Sequence, residues 1–215
     1  MYLSRITLHT SALAPAQLMQ LMDRGEYAMH QWLWEIFPGR AERCFLYRRE
    51  ELQGAFRFFV LSADAPAENA LFDIECRPFS PSLHAGQWLR FSLRANPTIF
   101  KAGKRHDLLM EAKWQARGKA SPSEIQAQQQ QAAQEWLARQ GERSGFRLHE
   151  VSVDAYRQQV IRKGRARVIQ FSSVDYAGVL EVSDPTLFLQ QLAQGYGKSR
   201  AFGCGLMLIK PEIAA

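Results

Sequence analysis

A histidine and a tyrosine one helical turn apart form the first candidate for chemistry in this chain. Met29, Leu33 and Ile36 recur at the spacing of a helix face that packs into a core. At about 100° per residue, Tyr27 and His30 then lie together on a neighbouring flank of that helix. Because imidazole exchanges protons near neutral pH, the pair predicts a general acid–base site. A half-buried histidine packed beside core aromatic residues has the same spacing, so that structural interpretation stays open.

A glycine-rich segment near the C-terminus is the second candidate. Its glycines flank a Lys-Ser-Arg cluster between an expected helix and an expected strand, and bare N–H groups beside cations form anion-binding nests. Leu192 stands where a Walker A loop needs glycine, and Arg200 breaks the dinucleotide-binding pattern. We therefore predict a phosphate contact here, with an ordinary helix-to-strand turn as the alternative. The predicted contact residues are Gly195, Gly197, Lys198, Ser199, Arg200, Gly203 and Gly205.

Three further clusters of basic or polar residues predict contacts with a nucleic acid. Four cations around a glycine at an expected hairpin tip suit the backbone of a folded RNA or DNA, although many such tips are simply solvated. His106 follows two cations, which suits a phosphate contact better than proton transfer. The residues are Arg162, Lys163, Arg165 and Arg167 at the hairpin tip, Lys104, Arg105 and His106 in mid-chain, and Arg94 and Asn96 at a strand end.

The composition favours a polyanionic partner and a reducing compartment. The net charge is +6 and the sequence pI is about 9.4, although a soluble protein can be basic without such a partner. Cys44, Cys76 and Cys204 are odd in number and lack paired spacing, so we expect reduced thiols in a cytoplasmic protein. The pattern predicts neither a secretory signal nor a transmembrane helix. Metal-dependent hydrolysis and acyl-enzyme chemistry have no support, since H-E-x-x-H, G-x-S-x-G and a carboxylate triad are missing from the sequence.

The elements that must position these residues are strands and helices in two similar halves. The pattern predicts an α+β fold with helices packed on one face of antiparallel sheets, dividing at residue 96. Residues 97–119 read as a connection with a short helix near 106–114, and a capping box at Ser121 and Glu124 opens a helix that ends at Gly141. The other expected elements are strands at 2–8, 44–49, 55–61, 72–77, 88–93, 146–153, 156–161, 168–182 and 206–209, and helices at 15–37, broken at Gly25, and at 185–194.

Five segments occur in the order found in one known family. They are Met1–Ser4, Tyr27–Pro38, Phe91–Pro97, Gly103–Leu109 and the glycine-rich segment. In this order and combination they resemble the CRISPR RNA-processing endoribonucleases of the type I-E Cascade complex, CasE-type members of the RAMP superfamily. The resemblance runs from residue 1 to about residue 210.

The resemblance implies a fold, a reaction and a set of partners. The fold is two tandem ferredoxin-like (RRM-like) domains, with the catalytic helix in 1–96 and the basic hairpin and glycine-rich loop in 97–215. The reaction is cleavage of precursor CRISPR RNA at the base of the repeat hairpin by attack of a 2′-OH, leaving a 2′,3′-cyclic phosphate and a 5′-OH without a metal or other cofactor. The mature crRNA stays bound, and the protein joins the other Cascade subunits. We expect no membrane partner and a monomer when the protein is isolated.

The same resemblance implies roles for single residues. His30 moves a proton, either from the 2′-OH or to the leaving 5′-oxygen, and Tyr27 orients the reacting group. The family commonly adds a lysine at the scissile phosphate, for which Lys163 is the first candidate and Lys198 the second. A non-catalytic RNA-hairpin-binding subunit of the same fold stays open as an alternative. A basic adaptor for acidic proteins is a third interpretation.

Overall fold

Two four-stranded sheets with helices against them form the framework of the protein. The structure is a computed structural model that describes residues 1–163 and 167–212, with the backbone alone for residues 162, 163 and 167. The first part of the chain contains β1 (Tyr2–His9), α1 (Pro15–Arg24), α2 (Glu26–Glu35), β2 (Phe45–Leu52), β3 (Ala55–Ser62) and β4 (Asp73–Pro78). The second part contains β5 (Trp88–Ala95), β6 (Thr98–Lys101), β7 (Lys104–Asp107), α3 (Leu108–Ala116), α4 (Pro122–Ser144), β8 (Phe146–Lys163), β9 (Arg167–Val182), α5 (Pro185–Gln194) and β10 (Met207–Pro211).

Both sheets have the strand order of the ferredoxin-like fold. The first sheet runs β2-β3-β1-β4 and the second β10-β5-β9-β8, with every neighbouring pair antiparallel. In each sheet the first and third strands are central, and the fourth and second strands lie at the edges. The helices α1 and α2 connect β1 to β2, whereas residues 63–72 join β3 to β4 without a helix. The predicted α+β fold with two ferredoxin-like units is confirmed.

The strand β5 belongs to the second sheet. It pairs with β9 on one side and with β10 on the other. The prediction that residues 1–96 form one unit is therefore corrected at its boundary, because the chain leaves the first sheet after β4. Apolar alternation identifies a strand but not its hydrogen-bonding partner, and the residues of β9 that pair with β5 lie 79 to 93 positions further along the chain.

Alternate residues of each strand point to opposite faces and build separate hydrophobic clusters. On the helix side of the first sheet, Ile6 and Phe58 pack with Leu33 of α2, and all three are fully buried. On the helix side of the second sheet, Phe91 packs with Leu137 of α4 and with residues of α3 and α5. Each helix face is therefore held by burial of a sheet face, worth roughly 1.5–3 kcal/mol for each large apolar side chain.

A third apolar cluster joins the two sheets. Leu46 of β2 alternates with core residues of the same strand, so it lies on the face turned away from the helices. There it packs with Leu61 of β3 and with Leu206, which immediately precedes β10. All three side chains are buried, so the second half of the chain covers part of the open face of the first sheet.

Residues 97–107 form a β-hairpin where the sequence predicted an aperiodic connection. Ala102 and Gly103 both have positive φ, at 48° and 73°, and make the tight turn between β6 and β7. The helix that follows begins at Leu108 and not near residue 106, because the side chain of Asp107 accepts a hydrogen bond from the backbone of Met110 and caps it. Four-residue strands are too short for their alternation to be recognised in the sequence.

Two other boundaries differ from the sequence prediction. Helix α4 continues beyond Gly141 to Ser144, and Gly145 ends it in the left-handed conformation at φ 78°. Gly141 serves packing instead, since a Cβ there would approach the carbonyl oxygen of Phe146 to 2.6 Å. The strands predicted at 146–153 and 156–161 are one long strand, β8, whose register shifts around Ala155.

Candidate active site

His30 lies where the first half of the chain meets the glycine-rich loop. It is half-buried on α2, and its ring meets the edge of Trp34, one turn further on, with 5.9 Å between ring centroids. Its ring also contacts Phe202, whose ring centroid lies 5.6 Å away. Phe202 belongs to the loop between α5 and β10. The histidine and the glycine-rich segment, two separate candidates in the sequence, therefore share one site.

A third element completes the wall of this site. The ring of Phe202 stacks on Phe171 of β9, with 6.0 Å between centroids and 24° between planes. The long hairpin of β8 and β9 extends past its own sheet, so that β8 contacts α1 and α2. The imidazole of His30 is thus oriented by aromatic neighbours from its own helix and from the loop, with β9 behind them.

Tyr27 accompanies His30 on α2. Both side chains are half-buried, while Ala28 and Met29 between them point into the core. Residues three apart on a helix have Cβ atoms about 5–6 Å apart, so the phenol and the imidazole are surface neighbours. The helical placement predicted for this pair is confirmed, whereas a catalytic role for either residue stays a prediction.

Two ion pairs lie beneath the site at the contact between the halves. Arg49 of β2 pairs with Glu26 of α2 at 2.9 Å. Arg94 of β5 donates two hydrogen bonds to Asp175 of β9, at 2.7 and 2.9 Å, and a third to the carbonyl oxygen of Arg49 at 3.3 Å. Burial raises the pKa of the Glu26 carboxyl above its ordinary value, with Arg49 acting in the opposite direction. These pairs connect α2, β2 and the second sheet.

The glycine-rich loop is held by hydrogen bonds from both halves of the chain. The amide of Asn96 donates to the hydroxyl of Ser199 at 2.7 Å, and the backbone N–H of Lys198 donates to the carbonyl oxygen of Asn96 at 3.2 Å. From the first sheet, the phenol of Tyr47 donates to the carbonyl oxygen of Ala201 at 3.1 Å. Burial raises the pKa of Tyr47, which keeps that donor proton in place.

Two of the loop glycines are required by close approach. Gly197 has φ 74°, and a Cβ there would lie 2.8 Å from the carbonyl oxygen of Asn96. Gly195 has φ 77°, and a Cβ there would lie 3.0 Å from the carbonyl oxygen of Gly205. L-residues rarely adopt this backbone region, so the loop conformation depends on glycine at both positions. The loop is a built structure that presents Phe202 to His30.

The cations of the loop differ in what they contact. Arg200 donates through Nε to the carbonyl oxygen of Gly197 at 3.1 Å, and burial lowers the pKa of its guanidinium. Lys198 is exposed to solvent. Lys198 is the more exposed of the two, so its ammonium is more accessible to a bound anion.

The structure brings together some of the predicted site residues and separates others. The pair on α2 and the glycine-rich loop meet, and Asn96 anchors the loop. Arg94 is committed to Asp175, so an RNA contact by this residue stays a prediction. Lys104, Arg105 and His106 lie on the hairpin of β6 and β7. The side chains of Arg162, Lys163 and Arg167, and the whole of Arg165, lie outside the described residues.

The chain matches a known family over nearly all of its length. A family model described as "CRISPR associated protein" matches residues 1–211. The chain belongs to this family.

Two named relatives are similar to this chain in sequence, and a solved structure is similar to it in fold. The CRISPR system Cascade subunit CasE of Escherichia coli is 28% identical over 98% of this chain and 100% of its own length. The CRISPR-associated endoribonuclease Cse3 of Thermus thermophilus is 34% identical over 63% of this chain and 61% of its own length. A structure of the endoribonuclease Cse3 bound to a 19-nucleotide RNA has a TM-score of 0.72 and 28% identity, covering 98% of this chain and 100% of that one. The resemblance identified from the sequence motifs is confirmed.

The described part of this CRISPR-associated protein was searched for metal-binding clusters and for membrane-spanning helices. Within residues 1–163 and 167–212, no group of three or more His, Cys, Asp or Glu residues could hold a metal ion. The same residues contain no helix long and apolar enough to cross a membrane. Metal independence of the reaction stays a prediction, which cleavage in EDTA tests.

Sequence reasoning missed Phe202 and Phe171, which form the wall of the site. Phe202 had one visible signal, as a large aromatic residue inside a run of glycines. Phe171 had none, because it lies in an ordinary apolar strand pattern. The ion pairs of Glu26 and Arg94 were equally invisible, since their partners lie 23 and 81 residues away.

Proposed function

We propose that this chain is a metal-independent endoribonuclease that cleaves precursor CRISPR RNA at the base of the repeat hairpin. It then keeps the mature crRNA and serves as a subunit of the Cascade surveillance complex. The relatives named a Cascade subunit and an endoribonuclease support this proposal. The observation that carries it is the 5.6 Å contact between His30 and Phe202, which unites the acid–base candidate with the glycine-rich loop.

The proposed chemistry needs only a proton carrier and charge stabilisation from the protein. The RNA supplies its own nucleophile: a 2′-oxygen forms a bond to the adjacent phosphorus while the bond from phosphorus to the 5′-oxygen breaks. One proton leaves the 2′-OH and one reaches the leaving 5′-oxygen, giving the cyclic phosphate and a 5′-OH. His30 carries one of these protons, and Tyr27 orients the reacting group.

The phosphate and the duplex are the parts of the substrate that the cations contact in this proposal. Lys163 or Lys198 balances the charge that grows on the scissile phosphate, and alanine at each position in turn decides between them. The basic hairpin and the glycine-rich loop follow the RNA backbone, because proteins recognise duplex RNA mainly through its shape and phosphates.

We place this activity in the cytoplasm, since Cys44, Cys76 and Cys204 are all free, as suits a reducing compartment.

The test is single-turnover cleavage of an end-labelled type I-E repeat hairpin in EDTA. His30→Ala is expected to slow cleavage by about 10²–10⁴-fold while leaving the Kd for a 2′-deoxy-blocked hairpin within about twofold. His84→Ala is the matched control, because His84 is an exposed histidine in a loop away from this site. Cleavage by His30→Ala at the wild-type rate would show that the role assigned to this residue is wrong.

The same assay separates the enzyme from a binding module. A wild-type protein that binds the hairpin tightly but leaves it uncut supports the non-catalytic subunit. Weak and salt-insensitive RNA binding without preference for hairpins supports the basic adaptor. A 2′-deoxy substitution at the cut site must abolish cleavage, because the proposed reaction has no other nucleophile.

A further inference from the structure

An open pocket lies between the hairpin of β6 and β7 and helix α3, apart from the His30 site. Its volume is about 480 Å³, within the range of roughly 300–1,000 Å³ that small-ligand sites occupy. Trp114 and Met110 form its apolar wall, one helical turn apart on α3. Lys101 and His106 come from the two strands of the hairpin. We propose that this pocket binds an unpaired nucleotide of the precursor RNA beside the hairpin, an inference that rests on the proposed function.

The apolar side chains of this pocket are exposed to solvent. The side chain of Trp114 is 66% exposed and that of Met110 is 45% exposed, although both are large and apolar. The ammonium of Lys101 lies 5.6 Å from the centre of the indole ring and pairs with Glu111. An exposed aromatic ring beside a lysine is a side-chain set with which proteins bind single-stranded nucleic acids, by stacking on the base and attracting its phosphate.

The segment that contains the pocket is basic. Residues 98–119 contain six Lys or Arg side chains and only two carboxylates, so this stretch carries four of the protein's six net positive charges. Both carboxylates are engaged: Asp107 caps α3, and Glu111 accepts hydrogen bonds from Lys101 and Gln115. Both carboxylates line the pocket beside Lys101, whereas the stretch as a whole carries a net positive charge that favours a polyanion.

The pocket lies close along the chain to the residue that anchors the glycine-rich loop. Asn96, which anchors the glycine-rich loop, precedes Lys101 by only five residues. Five residues span at most about 18 Å, so the hairpin starts from the edge of the proposed cleavage site. An RNA strand that leaves the base of a bound hairpin can reach the pocket within a few nucleotides. The pocket thus suits the single-stranded flank rather than the duplex.

Two aromatic residues on the same hairpin and helix provide a matched comparison. Phe100 is 71% exposed and pairs with Arg105 across the hairpin. Successive residues of a strand face opposite ways, so Phe100 lies on the face opposite to Lys101 and does not line the pocket. Trp114→Ala removes the stacking surface, Trp114→Phe keeps a smaller one, and Phe100→Ala removes an equally exposed ring outside the pocket.

The experiment measures Kd by fluorescence anisotropy with 2′-deoxy-blocked type I-E repeat hairpins. One RNA is the hairpin alone, two carry six unpaired nucleotides on the 5′ or 3′ side, and two carry abasic flanks of the same length. The flanked RNA on one side is expected to bind wild-type protein more tightly than the hairpin. Trp114→Ala should weaken only that RNA, by about 5- to 150-fold, the value of one stacked base. Trp114→Phe should restore part of the affinity, and Phe100→Ala should match wild type.

Each outcome decides the question. Equal losses with base-containing and abasic flanks would mean that charge alone holds the RNA, which overturns the proposal. An unchanged affinity of Trp114→Ala for every RNA also overturns it, and weaker assembly of that variant into Cascade would then assign the surface to a protein partner. Cleavage of the plain hairpin, measured in parallel, reports on the proposed function separately, since Trp114 has no part in it.

Discussion

Phe202 connects the acid–base candidate to the rest of the site. Its ring contacts both His30 and Phe171, so it holds the imidazole together with Trp34. A small misplacement of a reacting group can cost about 10²-fold in rate. We therefore expect Phe202→Ala to slow hairpin cleavage by about 10- to 100-fold with little change in the Kd for blocked RNA.

The control for this prediction keeps the ring. Phe202→Tyr retains the aromatic contact and should cleave within about threefold of wild type, since only the ring's packing is required. Single-turnover rates of the two variants are the measurement. If both variants cleave alike, the ring does not position His30.

Glu26 makes the stability of the site depend on pH. Burial raises the pKa of its carboxyl in the folded protein above the unfolded value. The protonated Glu26 carboxyl therefore adds to the free energy of unfolding below the pKa that it has in the unfolded chain. This contribution is lost as the pH rises through the pKa that it has in the folded protein. We expect Glu26→Gln to gain stability relative to wild type as the pH rises from the unfolded-state pKa of about 4 toward neutrality, measured by urea unfolding.

Glu51 supplies the comparison for that measurement. It also pairs with Arg49, at 2.8 Å, but its carboxylate is exposed. Glu51→Gln should therefore show no comparable trend with pH, because solvent screens an exposed pair. A constant stability difference between Glu26→Gln and wild type across this range would contradict the prediction.

At the scale of single residues, the sequence shows which groups can react but not what surrounds them. Tyr27 and His30 were found because the period of a helix is fixed by backbone geometry. The contact between His30 and Phe202 joins residues 172 positions apart, and no local pattern encodes it. The same limit applies to Arg94, whose charge predicted an RNA contact and whose guanidinium is held by Asp175.

Among the elements, the glycine-rich loop depends most on backbone geometry. Gly197→Ala would place a Cβ 2.8 Å from the carbonyl oxygen of Asn96 at a φ of 74°, so the loop must shift. Because this loop carries Phe202, we expect the single-turnover cleavage rate to fall at least tenfold. The left-handed conformation itself costs about 1–2 kcal/mol for alanine.

Gly86→Ala separates the cost of the left-handed backbone from the effect of the steric clash. Gly86 has a similar φ of 81°, but a Cβ there would meet nothing within 4 Å. This variant should lose only the roughly 1–2 kcal/mol of the left-handed conformation and keep the wild-type cleavage rate. Equal rates for the two variants would mean that the loop conformation does not matter for cleavage.

Element boundaries were predicted well where a cap or a long period marks them. The capping box at Ser121 starts α4 where the sequence placed it, and the break at Gly25 separates α1 from α2. Glycine was ambiguous at the other end of α4, because Gly141 packs against Phe146 while Gly145 ends the helix. A glycine needed for packing and a glycine needed for a turn are the same letter in a sequence.

For the whole molecule, strand order was predictable only through the resemblance to the family. The alternation in β5 predicts a strand, but pairing with β9 depends on the path of the chain through α3, α4 and β8. The apolar cluster of Leu46, Leu61 and Leu206 has the same origin, since each residue looks like an ordinary strand residue. Long-range pairing is set by the global packing of both sheets.

Charge is distributed unevenly over the whole molecule. Residues 98–119 carry a net +4 and residues 162–167 another +4, so the remainder of the chain has a net charge of −2. Each phosphate contact adds about 0.7–0.9 to the slope of log K against log[salt]. Replacing Arg162, Lys163, Arg165 and Arg167 by Gln should therefore reduce that slope for the blocked hairpin by up to about 3.6.

The second basic segment serves as the comparison. Lys104→Gln combined with Arg105→Gln should lower the slope mainly for an RNA with a single-stranded flank, because these residues lie on the same hairpin as Lys101 and His106, which line the pocket beside α3. Kd values at several KCl concentrations give the slopes for both variants and both RNAs. If the two variants lower the slope equally for the plain hairpin, the duplex is not held by the hairpin of β8 and β9 in preference to that of β6 and β7. The division of labour between the two basic segments would then be wrong.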